Sequence, residues 1–135
     1  MQTVAAVSVT LPELESLVRR LLGAGEGFPP CDVMWTSDGR LRISLAVAGF
    51  CVDDLTVAVM GDQLVVRGRR QPDQEPRQFL HRGIAMRRFQ RAFSLGPGLR
   101  VRAARLENGL LDIELERIEA SPAHKVPIAG PAPRD

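Results

Sequence analysis

The amino-acid sequence predicts an all-β protein, an antiparallel β-sandwich, and three observations carry that prediction. Short runs alternate apolar and polar residues with the period of a half-buried strand, as Leu111, Ile113 and Leu115 do against Asp112, Glu114 and Glu116. Two turn dipeptides, Gly61-Asp62 and Asn108-Gly109, stand between such runs at hairpin spacing. Helical spacing is confined to one stretch near the N-terminus. At 135 residues the chain is expected to form one domain with tails, and 44% hydrophobic residues suffice for its core. Aromatics are only 4%, so aliphatic side chains must fill that core.

Residues 1–30 read as an arm. Thr10-Leu11-Pro12-Glu13 is a helix start, with Thr10 as N-cap and Pro12 in the first turn. Leu14, Leu17, Val18, Leu21 and Leu22 keep helical spacing, and Gly23, Gly25 and Gly27 end it. A helix of about a dozen residues is marginal in water unless its apolar face docks. The surface it docks on is its own domain, another subunit or an unfolded chain; the spacing does not choose.

Residues 31–119 read as the sandwich. Leu41, Ile43, Leu45 and Val47 alternate with Arg40, Arg42 and Ser44 as a strand. Asp53-Asp54 caps a turn ahead of the strand Leu55, Val57, Val59. Gly61-Asp62, a type II′ turn, then places Leu64, Val66 and Gly68 opposite Val59, Val57 and Leu55. Residues 69–85 break the rhythm, with Pro72 and Pro76 in a polar run ahead of Phe79 and Leu80. Phe89, Arg91, Phe93 and Leu95 share the inward face of the next strand. An arginine among aromatics needs a partner. Either its stem packs while its head reaches water, or it pairs at a subunit boundary.

Asn108-Gly109 suits a type I′ turn, whose two central residues both need positive φ. Ala104 and Leu106 then fall on one face, while Leu99, Val101 and Ala103 keep the opposite parity. A bulge near Ala103-Ala104 reconciles them. Residues 120–135 form a proline-rich tail.

The run Ala104 to Leu111, ARLENGLL, resembles the A-x-x-x-N-G-V-L signature of the small heat-shock proteins and their α-crystallin domain. Phe89 to Leu95, FQRAFSL, resembles the F-x-R-x-F-x-L run ahead of it. Phe28-Pro29-Pro30-Cys31-Asp32 is similar to the Y-P-P-Y-N/D segment of the bacterial inclusion-body-binding branch, and Val126-Pro127-Ile128 to the family's I-x-I/V anchor. The departures are Leu110 for Val, Leu95-Gly96-Pro97 for Leu-Pro, and Ala48-Gly49 where Pro-Gly is frequent.

The resemblance implies immunoglobulin-like layering and an ATP-independent holdase of the stress response. Phe79 and Leu80 would supply a strand that crosses to a partner subunit, with Arg91 near that interface. Val126 and Ile128 would anchor the tail in a neighbour's groove between the strand of Leu55, Val57 and Val59 and the strand holding Val101 and Ala103. Burying two aliphatics supplies roughly 3–6 kcal/mol before ordering entropy is subtracted. Phe89, Phe93, Ala104, Asn108, Gly109 and Leu111 carry the family signature. Expected partners are further copies of the chain and unfolded or partly folded clients.

Other classes have less support. The chain has no GxxxxGK[ST] loop, no HExxH and no C-x-x-C, and its two histidines, His81 and His124, fall in segments expected to be mobile. Neither an enzyme, a cofactor nor a metal site is expected. With a net charge of +2, no nucleic acid is expected either. Seventeen of the 18 basic residues are arginine, and Arg100, Arg102 and Arg105 could form a stripe, but cross-strand pairing with Glu114 and Glu116 is the reading taken. Cys31 and Cys51 read as free thiols of a cytoplasmic protein with no secretory signal and no membrane span. The alternative function is an interaction module or co-chaperone adaptor of the same fold, binding one defined folded partner.

Overall fold

In the computed structural model, which describes residues 10–23, 27–70, 77–83, 87–118 and 125–131, the firmest hairpin joins β6 (Leu99–Glu107) to β7 (Leu110–Arg117). Asn108 and Gly109 take φ of 54° and 75°, as the two-residue turn requires. Leu106 then pairs with Leu111 and Ala104 with Ile113. β7 also pairs with β2 (Leu41–Ala46), and β2 with β1 (Cys31–Trp35), which completes an antiparallel sheet in the order β1-β2-β7-β6.

The second sheet holds β3 (Leu55–Met60), β4 (Gln63–Gly68) and β5 (Phe89–Ser94) in that order. Its first hairpin has the expected register, with Val59 opposite Leu64, Val57 opposite Val66 and Leu55 opposite Gly68. Gly61 supplies the positive φ, 63°, that the first position of the turn demands. A 3-10 turn at Val52–Asp54 leads into β3, where the Asp54 carboxylate accepts the Cys51 N–H at 2.8 Å. That is the capping role read from the sequence.

The inward faces of the two sheets meet in an aliphatic core. Ile43, Leu45, Leu64, Val66, Ile113 and Leu115 are fully buried there. Phe93 adds the one fully buried aromatic ring, while Phe28, Phe50 and Phe89 interlock edge to face near one end. Gly68 has no side chain because the Phe89 ring lies directly over it.

Helix α1 (Leu11–Leu22) starts in a capping box, in which the Thr10 hydroxyl accepts from Glu13 N–H and the Glu13 carboxylate accepts from Thr10 N–H. It ends at Gly23, with φ of 67°. The helix docks on its own domain. Leu21 is only 1% exposed, Leu17 and Leu22 pack on the core, and the helix contacts β5.

Candidate functional site

A two-sheet sandwich has two open sides, and here they differ. α1 lies on the side where β1 and β5 form the sheet edges. It contacts β5 and, with Leu14 and Val18, walls a groove of about 490 Å³ whose far side is Val33, Trp35 and Leu41. Arg91 bridges the same side. Its guanidinium donates to the Pro29 carbonyl just ahead of β1 and sits 5.2 Å from the Phe93 ring centroid. The remaining edges, β3 and β6, therefore share the opposite side.

That opposite side is apolar and only partly covered. Leu55 and Val57 of β3 and Val101 and Leu106 of β6 are half-buried against the core, and Val59 is 53% exposed. Both strands have an unpaired backbone edge there. The β6 bulge falls between Val101 and Ala103, slightly earlier than expected. Contrary to the expectation from sequence, Ala103 does not face the seam: the bulge puts it in register with the outward Glu114. The inward position passes to Ala104, opposite Ile113.

The tail lies free of its own domain. Val126 is 73% and Ile128 96% exposed. Phe79 and Leu80 are likewise exposed and lie in no strand of this chain, with Arg82 stacked 4.8 Å from the Phe79 ring centroid. Pro72, Pro76 and His124 lie outside the described residues. β1 meanwhile has a free edge and carries the exposed Met34 and Trp35.

Within its own chain Arg91 finds a partner that neither expectation named. It is half-buried and held by a backbone carbonyl of its own chain. Its inward parity signalled the need for a partner; nothing local pointed to Pro29. The same guanidinium affects Cys31: burial pushes that thiol up from its usual range, and Arg91 pulls it part of the way back. Arg100 pairs with Glu116, its Nε donating at 2.8 Å, as cross-strand pairing predicted, whereas Arg105 pairs along its own strand with Glu107. His81 is exposed, and the described residues hold no cluster of three or more potential metal ligands. No helix among them is long and apolar enough to cross a membrane.

Known proteins share this fold. Residues 33–129 match the model of the Hsp20/alpha crystallin family. Small heat shock protein HspA of Bradyrhizobium diazoefficiens is 44% identical over 115 residues, which is 83% of this chain and 75% of that protein. Small heat shock protein IbpA of Salmonella typhimurium is 41% identical over 104 residues, covering 76% of each. A C-terminally truncated form of small heat shock protein AgsA from Salmonella typhimurium superimposes with a TM-score of 0.61 at 26% identity, over 75% of this chain and 97% of that one. The chain belongs to the Hsp20/alpha crystallin family, whose members are ATP-independent chaperones rather than enzymes. Within that family it falls in the bacterial branch that includes IbpA.

Proposed function

We propose that this chain holds unfolding proteins at the seam between β3 and β6 and so keeps their exposed apolar surface from self-association. The observation that carries this is the half-covered apolar seam in a chain whose tail residues Val126 and Ile128 are undocked. Leu55, Val57, Val59 and Val101 form the receiving surface, with Ala104 in place of Ala103. A neighbour's Val126 and Ile128 fill it at rest. Their release opens it, since a two-residue anchor is weak singly and holds through multivalency.

In this reading residues 1–30 are the arm, 31–119 the sandwich and 120–135 the anchoring tail. The dimer forms when the segment of Phe79 and Leu80 adds to the free β1 edge of a partner. Arg91 supports that interface indirectly, by bracing the segment that leads into β1. Partners are further copies of the chain and unfolded clients in the cytoplasm. The exposed His81 has no catalytic part.

The deciding experiment heats an aggregation-prone client with the full chain and no ATP. Light scattering should fall at substoichiometric chaperone. Unchanged scattering at equimolar chaperone refutes the holdase reading and leaves the adaptor alternative.

A further inference from the structure

The outer face of the three-stranded sheet changes character along its length. One row is apolar, with Ala58, Val65 and Ala92 in register across β3, β4 and β5. One step along, Thr56, Arg67 and Gln90 are in register. Just beyond the strand ends stand Arg69, whose N–H continues the ladder to the Asp54 carbonyl at 2.8 Å, and Arg88. Arg67, Arg69 and Arg88 converge on one cleft of about 320 Å³, completed by Gly68, Phe89 and Gln90.

Among the described residues no carboxylate lines this cleft. Arg67 bonds only the neutral Gln90 side chain, at 3.1 Å, and the side chains of Arg69 and Arg88 have no partner among the described residues. The nearby Asp54 carboxylate accepts the Cys51 N–H and does not line the cleft. The other outer face is different: Arg40, Arg42, Arg100 and Arg105 each pair with an acid there. Four arginines on one sheet thus have acidic partners, while among the described residues the Arg67, Arg69 and Arg88 triplet on the other has none.

We propose that this cleft is a binding site for a short chain of phosphoryl groups, either free polyphosphate or the triphosphate of a nucleotide. Arg67 and Arg69 are two residues apart on an extended chain, about 7 Å, and Arg88 immediately precedes the neighbouring strand, whose backbone runs about 5 Å away. Guanidinium forks match phosphoryl oxygens bidentately. A compact trianion or tetra-anion meets all three charges at once. A single carboxylate satisfies only one, and an acidic peptide must be held extended, at an entropic cost, to present several. The β4–β5 ladder places Arg67, and the Gly68–Phe89 rung with the Arg69 N–H bond to Asp54 holds the adjoining Arg69 and Arg88 near it before the ligand arrives. The site does not depend on the chaperone reading, and aggregation assays play no part in its test.

Tripolyphosphate and adenosine triphosphate are titrated calorimetrically into the full chain at low and at physiological salt. Both should bind, more weakly as salt rises. An affinity for tripolyphosphate at least equal to that for adenosine triphosphate assigns the site to the free chain, and the reverse order assigns it to a nucleotide. Combined Arg67→Gln, Arg69→Gln and Arg88→Gln should weaken binding roughly tenfold or more, the equivalent of one charge-assisted hydrogen bond. Arg88→Gln alone, the milder variant, should weaken it measurably with thermal unfolding unchanged. Arg100→Gln with Arg102→Gln and Arg105→Gln removes equal charge from the other sheet and should leave binding intact. The proposal is overturned by no binding at low salt or by equal loss in both triple variants. It is also overturned by equally tight binding of a glutamate-rich peptide of the same charge, or by binding of an RNA oligonucleotide without tripolyphosphate.

Discussion

Arg91 is the side chain on which two parts of the chain meet. Its stem crosses the inward face of β5, its plane rests near Phe93, and its head donates to Pro29. Gly27 lies close against it; an added Cβ there would come within 3.0 Å of Nε. Removing the guanidinium leaves the Pro29 carbonyl without this donor and frees the approach to β1. Arg91→Ala should therefore weaken the dimer, which sedimentation at several concentrations would reveal; an unaltered dimer confines Arg91 to bracing its own chain. Cys31 lies in the same pocket. Its thiol is held up chiefly by burial, so the folded state favours the neutral form. The stability it contributes is fully present below the usual thiol value of 9.0 and is lost as pH rises through the folded value. Alkylation at alkaline pH should modify the exposed Cys51 before Cys31, and denaturant should erase the difference.

At the scale of elements, α1 is the part whose role depends most on its surroundings. Its cap and its apolar spacing make the helix, but its stability comes from Leu17, Leu21 and Leu22 against the sandwich. Leu21→Ala should cost about 2–5 kcal/mol, seen as a lower melting temperature. Leu11→Ala, at a position 67% exposed, should change stability by no more than about 0.5 kcal/mol. Equal effects at both positions would mean that the helix does not close the β1–β5 side. The β6 bulge matters for a related reason: one extra residue turns Ala103 outward and hands the seam to Ala104 and Leu106.

For the whole molecule, the decisive contrast is between one closed side and one open side. The closed side uses the chain's own helix and Arg91. The open side faces solvent while Val126 and Ile128 remain exposed at the other end of the chain. Exposed positions add little to the stability of a single subunit. Val126→Ala with Ile128→Ala should accordingly leave the unfolding of the isolated subunit unchanged and lower the assembly mass measured by multi-angle light scattering. An unchanged mass rejects the anchor.

Much of the fold was legible in residue order because its signals are local. Positive φ at Asn108-Gly109 and Gly61, period-2 alternation in β2 and β7, and the Thr10–Glu13 cap each act within a few residues. Residue order alone specified the strands other than β1, both hairpins and their registers, the helix and the family motifs. It took the packed fold to show that Cys31–Trp35 pairs on β2, which surface α1 covers, which way Ala103 faces, that Arg91 reaches a carbonyl 62 positions away, and that Arg67, Arg69 and Arg88 share a cleft. The reason is physical. Those outcomes are set by contacts between segments brought together when the two sheets stack, and no short-range backbone preference encodes them.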